Sequence, residues 1–190
     1  MDLWVSDFDR NGSVEQIFGR TLDGLTYPWH LRHDLVAQLP NLVRRFPTYA
    51  SYAGKTVKNL FSPELLGQAL HLQATELRTV AGLNDGSGRF SLEPLPMETQ
   101  LAPIYGLATL DLDDTVVLMG GNLYEVKPEA GRYDASYGAV VGAASLESLP
   151  WQDTGFFVQG PVRRILILDR LRLVLVAVNN DALRVFSYGE

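Results

Sequence analysis

The feature of this sequence that most limits its fold is a repeated unit of strand, acidic turn and strand. Each copy has a short apolar run, then aspartate, then another apolar run. Apolar runs bounded by turn residues are typical of β-hairpins. The three copies are residues 3–9 leading into 14–19, residues 107–113 leading into 116–121, and residues 165–169 leading into 171–178.

The spacing of the copies predicts the architecture. The second and third copies are about 60 residues apart, which suits a four-stranded propeller blade with elaborated loops. The first and second are more widely spaced, and removing residues 28–71 brings them to a similar separation. We therefore predict a mainly β fold with about three β-propeller blades, in which residues 1–190 form a single propeller-type domain or a fragment of one.

Residues 28–71 are expected to form a helical insertion. Pro40 should divide the first helical segment, because proline in a helix interior removes a hydrogen bond and clashes with the preceding turn. A further helix should start at Ser62-Pro63-Glu64, since serine caps helices and proline suits their first turn. The apolar residues of the first segment recur at helical spacing; they are Leu31, Leu35, Leu39, Leu42 and Phe46.

Two other segments carry strand signals. Asn84-Asp85-Gly86-Ser87-Gly88 lies between apolar runs and predicts a hairpin turn. The C-terminal strands are nearly continuous in Ile, Leu and Val, which predicts burial on both faces.

The first acidic turn carries the pattern of a calcium loop. Side-chain oxygens stand at alternate positions, and Gly12 permits a sharp turn at the sixth. Calcium needs about six to eight oxygens at roughly 2.3–2.6 Å. The predicted ligands are Asp7, Asp9, Asn11, Ser13 and Glu15.

This loop differs from a complete EF-hand. That motif needs a bidentate glutamate at its twelfth position, where this chain has Phe18. An apolar run follows Gly12, so the pattern favours a loop between two strands. The alternative is a plain turn, because Asp, Asn, Gly and Ser are also the ordinary residues of turns.

The chain resembles the FG-GAP, or VCBS-type, repeat family of β-propellers, which includes the integrin α-subunit propellers. The loop Asp7–Glu15 carries the resemblance, and the chain is similar to the C-terminal region of exported bacterial repeat proteins. The supporting stretches are 27–29, 32–40, 84–90, 102–106, 120–124 and 131–138. The second and third copies depart from the family pattern, since one lacks the glycine half of the loop and the other keeps only Asp169.

The resemblance implies a non-catalytic, calcium-stabilised binding or scaffold module of an extracellular or cell-envelope protein. Its ligand would be a protein or a glycan, and three blades, too few to close a ring, imply a larger propeller or self-association. The alternative is a hydrolase, for example a carbohydrate-active one, that uses Asp111, Asp113 and Asp134 for acid–base chemistry. Tyr124, Tyr133 and Tyr137 could line a binding surface or pack between blades.

Composition narrows the remaining classes of partner and site. The net charge of −6 argues against nucleic acid, which rewards positive patches. No apolar run is long enough to span a bilayer, and no secretory signal is recognisable at the start. The absence of cysteine excludes disulfides, thiol catalysis and cysteine-based zinc sites.

Overall fold

The computed structural model describes residues 1–189, which form two compact units. The first comprises Met1–Leu77, and the second begins at Arg78. Both are built on antiparallel sheets, and none of the sheets in the described part of the chain closes on itself. The mainly β fold is therefore confirmed. Nothing in the structure tests the assignment of residues 1–190 to one propeller-type domain, which stays a prediction.

The first unit is a four-stranded sheet with five short helices. The strands lie in the order β3-β2-β1-β4. They are β1 (Asp2–Ser6), β2 (Glu15–Leu22), β3 (Leu25–Pro28) and β4 (Leu70–Gln73). The helices are α1 (Arg32–Gln38), α2 (Leu42–Arg45), α3 (Tyr49–Tyr52), α4 (Val57–Leu60) and α5 (Pro63–Gln68).

Strand β1 is paired on both sides, with β2 and with β4. Alternate residues of a strand face opposite sides of a sheet, so Trp4 and its register partner Ile17 share the buried face. They belong to a core with buried side chains of the helical segment, among them Leu35, Leu60 and Phe61.

Three of the five helices, α1, α2 and α5, follow the sequence pattern. Pro40 lies between α1 and α2, and Leu35 and Leu39 are buried as the helical spacing predicts. Ser62 caps α5 by accepting a hydrogen bond from the Leu65 N–H at 3.3 Å. Two more single-turn helices, α3 and α4, were not predicted. Each begins after a threonine that forms a capping box with a polar residue three positions later.

The described residues of the second unit form three sheets, one short α-helix and two single-turn 3-10 helices, Met97–Thr99 and Asp169–Leu171. A hairpin pairs β5 (Val80–Asn84) with β6 (Phe90–Pro94) across the predicted turn. A four-stranded meander contains β7 (Ile104–Asp111), β8 (Thr115–Gly121), β9 (Ala139–Gly142) and β10 (Ser148–Leu149). The third sheet contains β11 (Val162–Leu168), β12 (Leu173–Val178) and β13 (Arg184–Ser187), and α6 spans Trp151–Thr154.

The meander packs on the third sheet through an apolar core. Its members include Leu110 and Leu118 from the meander, and Val162 and Val176 from the third sheet. The sheets approach closely at Gly120, where an added Cβ would lie 2.9 Å from Val162 Cγ1. A glycine at this position permits a separation that any side chain would prevent.

The expectation that the C-terminal strands are buried on both faces is wrong. In β12, Val174, Val176 and Val178 are buried, whereas Ala177 is exposed. In β11, Leu166 is 44% exposed. These strands cover the meander with one face only, and an unbroken apolar run cannot distinguish that arrangement from a strand covered on both sides.

All three predicted repeat copies are antiparallel hairpins. They are β1–β2, β7–β8 and β11–β12. Among residues 1–189, no helix is long and apolar enough to cross a bilayer.

Candidate metal centre

The loop between β1 and β2 brings three carboxylates together. Single ligand oxygens of Asp7, Asp9 and Glu15 all lie within 4.8 Å of one another. This is the one group of three or more acidic or histidine side chains at such distances in the described part of the chain. Three charges this close repel one another unless a cation or protons neutralise them.

Glu15 is fixed at the base of the loop. It is the first residue of β2, pairs in register with Ser6, and is only 5% exposed. Its Oε2 accepts a hydrogen bond from the Phe8 N–H at 2.8 Å. Phe8 itself is buried, with its ring centroid 4.4 Å from that of Phe61. The loop is therefore anchored at both ends, through the sheet and through the core.

Asp7 orders the turn of the loop. Its Oδ1 accepts from the Asn11 N–H and its Oδ2 from the Gly12 N–H, both at 2.9 Å. Gly12 has a φ of 89°, a conformation that glycine adopts without a steric penalty. The aspartate thereby holds residues 7–12 in a tight curve.

Asp9 differs from the other two carboxylates. Its Oδ1 atom is buried and has no hydrogen-bond partner among residues 1–189. A buried carboxylate oxygen without a donor is costly, because it has lost its hydration without replacement. A cation at the centre of the group would satisfy it.

The two remaining predicted ligands lie on the exposed side of the loop. Asn11 Oδ1 accepts a hydrogen bond from the Ser13 N–H at 2.7 Å, and both residues are exposed. The structure thus brings Asp7, Asp9 and Glu15 together as a carboxylate group, while Asn11 and Ser13 form a local turn beside it.

The other acidic turns are arranged differently. Asp111 Oδ1 accepts from the Thr115 hydroxyl at 2.8 Å, which is a contact within a tight turn. Asp169 Oδ1 accepts from the Tyr188 hydroxyl at 3.0 Å. Asp113 and Asp134 are exposed, and within the described residues these acids do not form a second group of three.

The tyrosines singled out in the sequence occupy separate environments. Arg132 lies over the Tyr124 ring at 5.3 Å, and Tyr133 forms a backbone bridge with Leu123. Tyr137 instead stacks on Phe157, with ring centroids 4.9 Å apart. Sequence reasoning missed Phe157 and its neighbour Trp151. The available signal was the aromatic-rich stretch that contains Trp151, Phe156 and Phe157. In the irregular segment after α6, Phe157 is exposed between the buried Phe156 and Val158.

The protein was also compared with known proteins, and neither a family model, nor a curated protein, nor a solved structure matches it.

Proposed function

We propose that this protein is a non-catalytic, calcium-stabilised binding or scaffold module. The observation that carries the proposal is the unpartnered, buried Oδ1 of Asp9 within a group of three carboxylates. Hard cations take oxygen ligands, and a flexible loop of carboxylates and carbonyls suits calcium better than magnesium, which demands a stricter octahedron and keeps its water.

The proposed ligands are those of the sequence pattern. Asp7, Asp9 and Glu15 supply the charged oxygens, Asn11 supplies its amide oxygen, and Ser13 its backbone carbonyl. The carboxylates already converge, so binding requires a rearrangement only on the exposed side, where the bond from the Ser13 N–H to Asn11 Oδ1 lies. Solvent or a neighbouring carbonyl would complete the shell of about six to eight oxygens.

Calcium would act on stability rather than on chemistry. The loop joins the two central strands of the first sheet, β1 and β2. Neutralising its repulsion would fix the register of that pair. A ligand that binds only the folded state adds about 2.7 kcal/mol of stability at a hundredfold excess over its Kd.

The proposal includes a propeller-type arrangement in a larger or self-associated assembly. The three antiparallel hairpins and the four-stranded meander of the second unit support it. Open sheets also present strand edges, which pair readily with another chain or blade. An extracellular or cell-envelope location agrees with a calcium role, because extracellular modules use sites of about 10⁻⁴–10⁻³ M affinity. Light scattering tests the assembly, and a monodisperse monomer would argue against self-association.

The metal is tested by calorimetric titration of calcium into chelator-treated protein. We expect binding heat and a rise in melting temperature for the unaltered chain, with both lost in Asp9→Ala. Asp111→Ala is the matched control, since that aspartate lies in a turn of the second unit, and it should leave both readouts unchanged. Absence of heat and of any thermal shift in the unaltered chain would refute the calcium site.

A further inference from the structure

The second unit carries a cluster of three exposed aromatic rings, here termed the aromatic platform: Tyr137, Trp151 and Phe157. The rings of Tyr137 and Phe157 are stacked at 4.9 Å with an interplanar angle of 12°. The Trp151 ring lies 5.3 Å from Phe157 at 55°. The exposed fractions are 43% for Tyr137, 55% for Trp151 and 44% for Phe157. Single exposed rings are ordinary, but adjoining ones are a signal of binding.

Buried neighbours and a backbone hydrogen bond hold the aromatic platform rigidly in place. Phe156 and Val158, on either side of Phe157, are buried in the core of the second unit. The Val158 N–H donates to the Tyr137 carbonyl at 2.8 Å, which ties together the two irregular segments that carry Tyr137 and Phe157. Gly155, with a φ of 67°, ends α6 and turns the chain back towards Phe157. The rings therefore keep their arrangement without a ligand, which lowers the entropic cost of binding one.

A buried asparagine fixes the segments that carry two of the rings. Asn122 is 1% exposed, and its Nδ2 donates to the carbonyls of Ser136 and Gly160 at 2.7 and 3.1 Å. Its Oδ1 accepts from the Ser136 N–H at 3.1 Å. One side chain thus joins the chain before Tyr137 to the chain after Phe157.

A cavity of about 220 Å³ adjoins the platform and shares Trp151 with it. Its lining is mixed. Leu149, Pro150 and Phe156 provide apolar surface, and Glu98, Ser148 and Gln152 provide a carboxylate, a hydroxyl and an amide. Ligand sites combine apolar walls with a few polar groups that fix orientation. This cavity is smaller than the roughly 300–1,000 Å³ of drug-sized sites, so it suits a single small ring.

We propose that the aromatic platform and its cavity bind a sugar ring of a neutral glycan. A pyranose has an apolar C–H face and a rim of hydroxyl groups. The face can pack on an aromatic ring, and the rim can bond to a carboxylate, a hydroxyl and an amide. The inference rests on the binding role proposed above and names its ligand class.

A protein partner fits the same surface less well. Aromatic anchors of protein interfaces are enclosed in well-packed pockets of the partner and surrounded by contacts that exclude water. Here Glu98, Ser148 and Gln152, whose polar groups can bond to hydroxyls, line the cavity that includes Trp151.

The test is calorimetry with soluble hexasaccharides of glucose, xylose, mannose and N-acetylglucosamine, each with calcium and with chelator. We expect at least one to bind, and Trp151→Ala to weaken that binding at least tenfold. Trp151→Phe should retain most of it. Trp29→Ala is the matched control, because Trp29 is equally exposed, at 55%, and belongs to the first unit. Melting temperatures verify that each variant is folded.

Each possible result either supports or overturns sugar binding at the aromatic platform. Binding that is weakened by Trp151→Ala and not by Trp29→Ala supports the proposal. No binding of any hexasaccharide, or binding that survives both Trp151→Ala and Phe157→Ala, overturns it. Self-association that Trp151→Ala abolishes, without sugar binding, makes the platform a protein interface and also overturns it. The heat of calcium binding is measured in a separate titration without sugar. The absence of sugar binding would therefore leave the test of the calcium site at the β1–β2 loop unaffected.

Discussion

The imidazole of His71 stacks on the indole of Trp4, with ring centroids 4.6 Å apart and planes inclined by only 1°. The same imidazole places Nε2 2.9 Å from Asp2 Oδ1. Strand β4 is exposed along its whole length, so few apolar contacts hold it on the sheet. Its attachment to β1 therefore depends on backbone pairing together with this stack and the Asp2 contacts.

Asp2 makes the first unit sensitive to acid. Burial by itself would raise the pKa of Asp2, but hydrogen bonds from Gln73, His71 and Thr21 outweigh it and lower the pKa below its usual value. A carboxylate with a lowered folded pKa stabilises the protein above its unfolded pKa of about 3.9, and this contribution is lost as pH falls through the folded pKa.

We therefore expect the stability difference between the unaltered chain and Asp2→Asn to be largest near neutral pH and to shrink below about pH 4. Urea unfolding in the presence of chelator, measured at a series of pH values, gives this difference without a calcium contribution. A difference that stayed constant from pH 7 to pH 3 would contradict the role of Asp2.

Two substitutions of Glu15 should separate its structural role, as the acceptor for the Phe8 N–H, from its proposed role as a calcium ligand. In Glu15→Gln the amide oxygen can still accept from the Phe8 N–H, while the charge is lost. We expect apo stability to change little or to rise slightly, because one of three repelling charges is removed, and the calcium-induced rise in melting temperature to fall sharply. Glu15→Ala should also destabilise the apo protein by about 1–3 kcal/mol, since it leaves the buried Phe8 N–H without its acceptor.

The measurement is thermal unfolding of both variants with calcium and with chelator. Equal calcium responses in Glu15→Gln and in the unaltered chain would exclude Glu15 as a ligand.

Asn122 should be among the most sensitive polar residues of the second unit. Asn122→Ala leaves the Ser136 carbonyl and N–H unpaired in a buried place and removes one of the two donors to the Gly160 carbonyl, which also accepts from the Val162 N–H. This should cost about 3 kcal/mol in the free energy of unfolding. Part of the loss comes from the backbone, because Asn122 has a φ of 80°.

Asn122→Gly separates these two contributions. It removes the same hydrogen bonds but adopts a positive φ freely, so it should be about 1 kcal/mol more stable than Asn122→Ala. Denaturant unfolding measures the stability of both variants. Near-native stability of either would show that the hydrogen bonds of the Asn122 side chain do not stabilise the second unit.

Gly120 tests the close approach of the two sheets in the second unit. In Gly120→Ala the new Cβ would lie 2.9–3.0 Å from three atoms of Val162, which should cost about 1–3 kcal/mol by overpacking. Adding Val162→Ala should recover part of this cost relative to the sum of the two single changes.

The control for the glycine change is Gly67→Ala, because Gly67 lies within α5 and an added Cβ meets no atom within 4 Å. That variant should gain up to about 1 kcal/mol from helix propensity. Chemical denaturation of the four variants completes the cycle, and a Gly120→Ala protein as stable as the original would contradict the packing.

Local sequence determined the hairpins, the limits of α1, α2 and α5, and the composition of the acidic loop between β1 and β2. The strand runs around Asp7 and Asp111, the break at Pro40 and the cap at Ser62 each act over a few residues, so their physical cause lies within the segment itself. The sequence also placed Asp7, Asp9 and Glu15 in one loop, since residues this close along the chain cannot separate far.

Tertiary structure decided what lies on each face and which distant side chains meet. Leu166 and Val176 are equally apolar, and only the packing of one sheet on another leaves the first exposed and the second buried. The sequence could not pair His71 with Asp2, or Tyr137 with Phe157, because such contacts depend on how strands are ordered and on where loops return. Burial, likewise, is what leaves Asp9 Oδ1 without a donor, and burial is a property of the folded chain alone.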